Sequence, residues 1–590
     1  MGVRHLDRFM RENVPGGCLR INIESEIRKY FQTAKTPNPP APIIVIDLIS
    51  LYTPLSQHDE KGVLFGGRFN LAYVAIDDFF AKLKSLGAKL EFFHDGPVQE
   101  SKSETWCERQ DGRYSNSLKL IEAVDAGTTV EELLSQYEIP SNFLYPLKHV
   151  AKKYGGFRLS MSRECDQELA AFATKARALA VLSNDSDFLI YEGSWKYWST
   201  RELELSTLFT MEFNRPALVE HLGLSFKQMP LFATLSGNDI MPYEVVRKFH
   251  ITLGLSRDKF PNIGRYILDL PQKPLTEMGI NSILRRVLNQ GTVDKDLTER
   301  FQLSLDVYSV NIRPQVMNPT EDRVLQVLLV HDSPFMYQIW EGVPLDVSIG
   351  IVDMGRKDFG QNYARLQLFL IRRMAAIILF HRKPQRPTHC PIIIKMDHES
   401  PHQEHRVPIQ YPRCLEIPSL AVMQSKEPVM VKHLRKVKFQ LLSWIASDTV
   451  QHDQLRKIPQ ELRMTALTAY YLLEQRAIEL FEADLFLQVA YDVIYDTYDY
   501  RSVVYPATIG SRPFRLIFLY QKIYALIAKA VCLVSLDGGD SVRNDPPFDG
   551  VLFHRYYDKF NDGQCDLGHI KDWRIYEDLA IDSNYSEREK

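Results

Sequence analysis

The sequence has few cysteines and no excess of charge of either sign. Its 590 residues include seven cysteines, none of them in a Cys-x-x-Cys pair, and the formal net charge at pH 7 is −3. Scattered cysteines are typical of a reducing compartment and argue against a disulfide framework. A nearly neutral chain has no global attraction to nucleic acid or membranes, so nucleic-acid binding would require a local basic patch.

Long apolar runs and targeting signals are also missing. We find no apolar run of about 18 residues, so the sequence predicts no membrane span. The amino-terminal stretch lacks the apolar segment of a signal peptide, and Leu6 stands where a myristoylation motif has Ser or Thr. The chain has no P-loop or Gly-x-Ser-x-Gly motif. We therefore expect an intracellular protein, nuclear or cytoplasmic.

The stretch from Ser162 to Tyr191 carries the densest chemical signal. Gln167–Ala178 is rich in alanine and predicts a helix, and Ala180–Leu182 predicts a short buried strand. One pair of acids lies at the start of the helix and a second pair follows the strand: Glu164 and Asp166, then Asp185 and Asp187. Carboxylates suit the helix start, and ligands bind at the carboxyl edge of open α/β sheets. These four acids predict a site for a divalent metal ion.

Two earlier predicted strands also end in acids. Ile43–Asp47 closes on Asp47, Lys89–His94 is followed by Asp95, and a predicted helix, Phe69–Leu86, lies between them. The alternation of strands and helices predicts a parallel sheet flanked by helices. A single acid after a strand is usually a turn former or a helix N-cap. Three successive strands with this feature favour a shared site instead.

One more acid and two cations extend this set. Asp239 follows an apolar stretch and is either a further metal-facing carboxylate or part of an Asn-Asp turn that ends a helix. Lys102 and Arg109 follow Asp95 by seven and fourteen residues, so a helix would place both on one face. Such cations are ordinarily solvated surface, but beside carboxylates they would hold a scissile phosphate.

Other constellations carry weaker signals. Two groups of His and Cys lack the paired spacing of closed zinc sites: His389, Cys390, His402 and His405, and separately His554, Cys565 and His569. The tyrosine-rich segment Tyr491–Tyr505 could stack bases, but such a density of tyrosine is more typical of packing between helices. Arg372-Arg373 and Lys432–Lys438 are candidates for nucleic-acid contact, and a solvated helix face explains them equally well.

The order of the acids resembles that of the flap endonuclease and XPG nucleases. The matching motifs are the Met1-Gly2-Val3 start, IIVID, FFHDGP, Glu164-Cys165-Asp166, Asp185-Ser186-Asp187 and Gly237-Asn238-Asp239. More closely, AVLSNDSDFLIY and LFATLSGNDIMP resemble the asteroid branch of this superfamily. The related coactivator-like branch shares the architecture and tends to have an eroded acid set. The resemblance covers residues 1–255 and extends less specifically over 360–480.

This resemblance implies a PIN-like fold and a nuclease that uses two ions of Mg²⁺ or Mn²⁺. It assigns Asp47, Asp95, Glu164 and Asp166 to one ion, Asp185, Asp187 and Asp239 to the other, and Lys102 and Arg109 to the phosphate. The Gly-x-Gly hairpin with which flap endonucleases grip duplex DNA does not closely follow Asp239. The implied enzyme is a structure-specific or single-strand/overhang DNA endonuclease in DNA repair. The absence of this hairpin favours single-stranded or overhang DNA, with RNA also open. The alternative is a non-catalytic PIN-like scaffold that binds RNA or protein in a signalling role.

The order of the predicted strands and helices predicts an α/β domain with a parallel sheet flanked by helices, followed by a mainly helical C-terminal region. The resemblance implies that the α/β domain is PIN-like. We predict five segments: a nuclease domain at 1–255, a helical middle region at 256–384, a loop-rich segment at 385–425, a helical C-terminal domain at 426–540 and a polar, partly disordered tail at 541–590. Protein partners would bind through the C-terminal helices, and no membrane contact is expected.

Overall fold

The structure, a computed structural model, divides into two units that each combine separate stretches of chain. It describes residues 2–139, 144–161, 164–254, 259–271, 276–288, 292–312, 334–347, 363–382, 385–397, 399–425, 427–536, 546–563, 570 and 573–576. The first unit comprises Met1–Leu55, Ala75–Thr105 and Val150–Gln315, and the second Ser56–Val74, Trp106–His149 and Val316–Lys590. The five segments expected from the sequence stay a prediction.

A seven-stranded mixed sheet forms the centre of the first unit. Its strands are β1 Cys18–Asn22, β2 Ile43–Asp47, β3 Lys89–Asp95, β4 Gly155–Ser160, β5 Ala180–Ser183, β6 Lys196–Ser199 and β7 Phe209–Phe213. They are arranged in the order β1-β7-β6-β5-β2-β3-β4. The three strands expected from the sequence are present, and this sheet with its flanking helices confirms the predicted α/β fold class.

The sheet is parallel only in part, which corrects the expectation of a wholly parallel sheet. Strands β6, β5, β2, β3 and β4 run parallel to one another, whereas β7 pairs antiparallel with both β6 and β1. The segment between β6 and β7, residues 200–208, is too short for a parallel crossover, which needs about a dozen residues or more. The chain therefore turns back at this side of the sheet.

The strand order places a topological switch point at β2. From β2 the chain proceeds to β3 and β4 on one side, and β5 and β6 are then added on the other side. Ligands of open α/β sheets bind outside the carboxyl ends of the strands at such a point. The loops that follow β2, β3 and β5 are thus where the fold favours a functional site.

Helices of the first unit pack their apolar residues against this sheet or against one another. They are Leu6–Glu12, Ile23–Thr33, Cys165–Lys175, Arg215–Leu222, Met229–Ser236, Tyr243–Thr252, Lys259–Leu268, Glu277–Leu288 and Lys295–Asp306. Leu169, Ala170 and Ala173 share one buried core with Val45 and Val181 of the two central strands. The amphipathic helices expected over 275–335 are present up to Asp306, while 313–333 lie outside the described residues.

Helix boundaries agree with the sequence where glycine ends a helix, and differ elsewhere. The helix Phe69–Ser85 ends just before Gly87, whose φ of +88° is a conformation that glycine adopts readily. The helix expected over Gln167–Ala178 runs instead from Cys165 to Lys175. It ends early because Arg177 adopts a left-handed φ of +50°, which no sequence signal predicted. Phe69–Ser85, Tyr52–His58, Ser103–Asp125 and Leu144–Tyr154 contribute residues to both units.

The second unit is mainly helical, as predicted. Its helices are Glu60–Leu64, Val130–Gln136, Pro334–Glu341, Tyr363–Leu379, Leu420–Met423, Pro428–Ala446, His452–Lys457, Gln460–Glu474, Leu480–Tyr495, Ser511–Leu533 and Gly550–Asn561. A small sheet joins β8 Leu345–Asp346, β9 His389–Ile394 and β10 Gln403–Pro408. The expected strand Ile392–Ile394 is part of β9. Most of the predicted disordered tail, including 577–590, lies outside the described residues.

The helix Ser511–Leu533 is long and apolar enough to cross a membrane by length and composition alone, although the sequence has no uninterrupted apolar run of about 18 residues. Among the described residues it is the one helix that meets both criteria, and most of it is buried inside the protein. A helix that is apolar on all sides is found either in a membrane or in the core of a large protein. Its burial here is typical of a core helix.

The tyrosine-rich and basic segments of the second unit make internal contacts. Tyr498 donates a hydrogen bond to Asp549, which also pairs with the buried Arg68, and Tyr491 stacks on Trp573. These contacts favour the packing interpretation of Tyr491–Tyr505 over base stacking. The basic clusters are also partly internal: Arg373 is fully buried and binds the Trp444 carbonyl oxygen, and Lys438 donates to that of Ser535.

Replacement of Gly96 by alanine is expected to destabilise the protein by about 1–3 kcal/mol, the usual cost of overpacking. Gly96 lies in the FFHDGP motif, and a Cβ atom there would stand 1.8 Å from the Ser160 carbonyl oxygen at the end of β4. Denaturant unfolding would measure the loss. The matched control is Gly112→Ala, because Gly112 is helical and a Cβ there meets nothing within 4 Å. Equal stability of the two variants would contradict the argument.

Candidate active site

The first unit brings the seven predicted acids to one end of its sheet. Asp47 and Asp95 are the last residues of β2 and β3. Glu164 is the N-cap of the helix Cys165–Lys175, and Asp166 lies in its first turn. Asp185 and Asp187 follow β5 in the turn that begins a short 3-10 helix, Ser186–Leu189. Asp239 lies in the loop that follows the helix Met229–Ser236.

Electrostatic interactions connect these acids into one cluster. Asp47 interacts with Asp95 and Asp185, and Asp166 interacts with all three. Asp187 interacts with Asp185, and Asp95 with Glu164. Asp239 is connected to Glu164 through Lys102, which contacts both. The strand-end argument made from the sequence therefore described one site, although their roles as metal ligands stay a prediction.

The burial of these carboxylates opposes their ionisation. Burial, the charge of Asp95 and that of Asp185 together raise the pKa of Asp47 to about 7, although Ser183 donates a hydrogen bond to it at 2.7 Å. Burial and Asp185 likewise raise the pKa of Asp187 to about 7. Burial and repulsion from Asp185 raise the pKa of Asp166 well above its ordinary value. The cluster therefore favours a bound cation, or else bound protons.

Asp185 is the exception, and the amino-terminal segment explains why. The backbone N–H groups of Gly2 and Asp187 each donate a hydrogen bond to its Oδ1 atom at 2.9 Å. Burial would raise the pKa of Asp185, but the charge of the amino terminus and these two hydrogen bonds lower it to about 2. Asp185 is therefore the carboxylate of this cluster that stays ionised most readily. A Cβ atom on Gly2 would stand 2.0 Å from Asp187 Oδ1, so only glycine fits at this position.

Lys102 is the cation at the centre of the acids. Its Nζ atom lies 2.7 Å from Glu164 Oε2 and 3.9 Å from Asp239 Oδ2. Burial would lower the pKa of Lys102, but the attraction of Glu164 raises it above its ordinary value. The charge of Lys102 in turn lowers the pKa values of Asp166 and Asp187. Lys102 ends a short 3-10 turn that precedes the helix Ser103–Asp125, and does not lie on that helix.

Arg109, the second predicted cation, lies on the helix Ser103–Asp125 within the second unit. Its predicted contact with phosphate stays a prediction.

The sequence did not point to the residues that hold Asp187 in place. The Tyr308 hydroxyl donates a hydrogen bond to Asp187 Oδ1 at 2.8 Å and accepts one from the Asn238 side chain at 3.3 Å. Asn238 is fixed in turn because its side-chain oxygen accepts hydrogen bonds from the backbone N–H groups of Ile240 and Met241. Asn238 could have been found beside the Gly-x-Asp motif, but Tyr308 lies 69 residues after Asp239 in a region without a motif.

Replacement of Tyr308 by phenylalanine is expected to lower about tenfold any activity that depends on the acid cluster. The variant loses a hydrogen bond to a charged group, which is worth about 1.5–3 kcal/mol. That bond lowers the pKa of Asp187, so the pH at which activity appears should move upward. A pH–rate profile would detect both effects. Tyr266→Phe is the matched control, because the buried Tyr266 hydroxyl has no hydrogen-bond partner among the described residues; equal profiles for the two variants would exclude this role.

The chemistry of the donor set fits a divalent metal ion. Every candidate ligand is a carboxylate, and Mg²⁺ binds oxygen ligands while it keeps several waters. Several of these carboxylates lie partly buried beside one another, and the positive charges that act on them are those of Lys102 and the amino terminus. Among the residues that the structure describes, no three His, Cys, Asp or Glu side chains already stand in positions to hold an ion. An ion would therefore have to draw these carboxylates together, with Glu164 released from Lys102.

The zinc alternatives find no support in the side-chain positions. His389, Cys390, His402 and His405 belong to the described residues, in which no such metal-binding group occurs. His402 instead contacts Asp111, with its Nδ1 atom 2.8 Å from Asp111 Oδ1. None of the six described cysteines forms a disulfide bond with another described residue. Cys565 and His569 lie outside the described residues.

Known proteins similar in sequence are named as coactivators. The constitutive coactivator of peroxisome proliferator-activated receptor gamma from Bos taurus is 29% identical over 312 residues, which are 51% of this chain and 41% of that protein. Its Homo sapiens counterpart is 31% identical over 255 residues, 42% of this chain and 27% of that protein. The match thus spans less than half the length of these relatives. No protein-family model matches the chain.

Solved structures of nucleases are similar to part of this chain. The catalytic core of Rad2 in complex with DNA substrate covers 52% of the chain at 16% identity, with 86% of that structure matched and a TM-score of 0.30. Human GEN1 in complex with Holliday junction DNA covers 60% at 14% identity, with 84% of that structure matched and a TM-score of 0.31. At these scores the likeness does not bear on the chemistry of the site. Membership of the asteroid branch stays a prediction.

Proposed function

We propose that this chain is a metal-dependent nuclease that hydrolyses phosphodiester bonds of single-stranded or overhang DNA, with a role in DNA repair. The observation that supports this proposal is the cluster of seven carboxylates around Lys102, at the switch point of the sheet. Clustered, partly buried carboxylates raise one another's pKa values, as at Asp47 and Asp187. Such a cluster is difficult to explain as a purely structural feature without a cation.

The carboxylates are proposed to form two sets of ligands, as the resemblance implies. Asp47, Asp95, Glu164 and Asp166 would hold one Mg²⁺ or Mn²⁺ ion, and Asp185, Asp187 and Asp239 the other. Bound ions of this kind lower the pKa of an attacking water and stabilise charge on both oxygens of the displacement. Ser183 orients Asp47, Tyr308 orients Asp187, and the Cys165 thiol donates a hydrogen bond to Asp95.

Lys102 supplies the positive charge that the phosphate needs. A lysine ammonium group has three donors, of which Glu164 accepts one at 2.7 Å. The remaining donors suit the oxygens of a scissile phosphate, which carboxylates alone would repel. Arg109 is proposed as a second phosphate contact.

The test is cleavage of labelled single-stranded, 3′-overhang, 5′-flap and duplex DNA and of single-stranded RNA, with Mg²⁺ or Mn²⁺. We expect wild type to cut single strands or overhangs in preference to duplex. The control is Asp185→Asn with Asp187→Asn, purified identically, which should not cut. Equal traces of cleavage in both proteins, or none in either, would refute the nuclease proposal.

A non-catalytic scaffold is the second candidate function. It is favoured by the named coactivator relatives and by the lack, among the described residues, of carboxylates already positioned to hold an ion. A scaffold would bind RNA or protein without metal ions, through the helical second unit. The absence of a metal effect on stability, together with absent cleavage, would support it.

A further inference from the structure

A cavity of about 680 Å³ lies beside the amino-terminal helix of the first unit. We call it the amino-terminal groove and define it by six of its lining residues: Arg4, His5, Arg8, Tyr243, Lys259 and Phe260. Its volume falls within the range of about 300–1,000 Å³ that small-ligand sites occupy. None of the roles proposed so far uses these residues.

The groove contains two cations that no carboxylate of the described residues neutralises. Arg8 is paired with Glu12 at 2.9 Å, but Arg4 makes no ion pair or hydrogen bond with the described residues. Lys259 donates only to the Ser236 carbonyl oxygen, at 3.0 Å. Burial, and then the charge of Arg4, lower the pKa of Lys259 to about 8. An anion in the groove would relieve this repulsion.

Aromatic rings lie next to these cations. The Lys259 Nζ atom stands 5.3 Å from the centre of the Tyr243 ring and 5.0 Å from that of Phe260. Tyr243 is 37% exposed, so its ring is accessible from the solvent. Proteins that bind single-stranded nucleic acid combine cations for the backbone with aromatic rings on which bases stack. An acidic peptide would use the cations but would have no need of the exposed ring.

Both walls of the groove lead to the acid cluster. Arg4 comes two residues after Gly2, and the backbone N–H of Gly2 donates a hydrogen bond to Asp185. Two residues span at most about 7 Å. On the other wall, Tyr243 comes four residues after Asp239. Its backbone packs against Gly237, where a Cβ atom would stand 3.1 Å from Tyr243 Cα. A strand held in the groove would therefore end near the carboxylates.

We propose that the amino-terminal groove binds the single-stranded part of the nucleic-acid substrate, with phosphates on Arg4 and Lys259 and a base on Tyr243. This inference rests on the proposed nuclease function and names the path by which its substrate reaches the acids. Since its cations contact the backbone, the binding is independent of base sequence.

The test measures the affinity of the full chain for a fluorescent single-stranded DNA by anisotropy, with a chelator present so that no strand is cut. The double variant Arg4→Gln with Lys259→Met keeps the side-chain volumes and removes both charges. Its Kd is expected to rise at least tenfold. The slope of log K against log salt should become shallower by about 0.7 for each phosphate that is no longer bound. Tyr243→Ala should weaken binding without changing that slope.

The matched control is Lys175→Gln with Lys227→Gln, which removes the same charge from exposed lysines outside the groove. Arg4→Glu is a second groove variant at an exposed position, in case Lys259→Met fails to fold. Equal affinity of the groove and control variants overturns the proposal. Tight binding of polyglutamate that displaces DNA and needs no Tyr243 also overturns it, in favour of a protein partner. An RNA strand that binds with the same losses supports the groove and assigns it to RNA.

The groove and the nuclease can fail separately. If the groove variants lose affinity in chelator but wild type never cuts with metal ions, the groove stands and the nuclease proposal falls. If wild type cuts and the groove variants bind and cut equally well, the nuclease stands and the groove proposal falls.

Discussion

Lys102→Met is expected to lower the rate of cleavage roughly 10²–10³-fold, the usual cost of one preorganised electrostatic contact to a transition state. Lys102 is the cation within hydrogen-bond distance of Glu164, and it lies close to Asp239. Its removal changes none of the carboxylates themselves, and a saturating metal ion offsets the repulsion that Lys102 no longer reduces, so the loss of activity that remains would report on the phosphate contact. Single-turnover cleavage at saturating metal ion would measure the effect.

The same variant should also weaken the metal-free protein. Lys102 lowers the pKa values of Asp166 and Asp187, so without it the carboxylates repel one another more strongly. We expect a lower melting temperature in chelator that Mg²⁺ largely restores. Lys61→Met serves as the control, because Lys61 pairs with Glu131 on the exposed surface, where ion pairs contribute about 0–1 kcal/mol. If Lys102→Met cuts as fast as wild type, the phosphate role of Lys102 is wrong.

The acid cluster could be predicted from the sequence because the residues next to each acid in the chain indicate its position in the fold. Each acid follows an apolar strand or begins a helix, and the carboxyl ends of neighbouring parallel strands meet at one edge. That rule is enough to place Asp47, Asp95 and Asp185 together. The short, fully buried strand Ala180–Ser183 could be predicted for the same reason, since a strand covered on both faces is continuously apolar.

The rest of the site depends on contacts between distant parts of the chain. Gly2 reaches Asp185 across 183 residues, and Tyr308 reaches Asp187 across 121. No local sequence pattern indicates the role of either residue, since Tyr308 only follows an amphipathic helix and Gly2 only precedes one. The edge strands were missed for a similar reason. Cys18–Asn22 has the burial pattern of an edge strand, with Leu19 and Arg20 exposed, and its place is set only by pairing with Phe209–Phe213.

Lys102 accounts for a difference between the sequence and the structure. The sequence indicates a metal site, whereas no three side chains of the described residues stand in positions to hold an ion. In the arrangement described, the ammonium group of Lys102 offsets part of the negative charge that an ion would otherwise neutralise. Lys102 and Glu164 can form their ion pair when neither an ion nor a phosphate occupies the site. Metal binding and release of Glu164 would then be linked, and the two functional candidates make opposite predictions for the response of stability to Mg²⁺.

Without metal ions, the protein is expected to be most stable at mildly acidic pH and to lose stability as pH rises from about 4 to 7. The pKa values of Asp47 and Asp187 are near 7 in the folded protein, whereas the ordinary value for an aspartate is 3.8. The folded state therefore binds more protons than the unfolded state in this window, and its stability falls as those protons leave. Asp185, with a pKa near 2, has the opposite effect, but only below about pH 4.

Mg²⁺ is expected to reverse this loss above pH 7, where the carboxylates are free of protons. Binding at a hundred times Kd would add about 2.7 kcal/mol to the free energy of unfolding. Melting temperatures measured from pH 5 to pH 8 (about the range in which Asp47 and Asp187 titrate), in chelator and in Mg²⁺, would separate the two effects. Asp185→Asn with Asp187→Asn should weaken both.

The control for this measurement removes two carboxylates that lie outside the acid cluster. Asp296→Asn with Glu299→Gln changes exposed residues of the same unit and should leave both the pH slope and the Mg²⁺ effect intact. A metal-free protein that becomes more stable between pH 5 and 7 would mean that the carboxylates are held apart in solution. If Mg²⁺ has no effect at pH 8 either, the acids are not a metal site, and the scaffold becomes the better account of why the chain retains them.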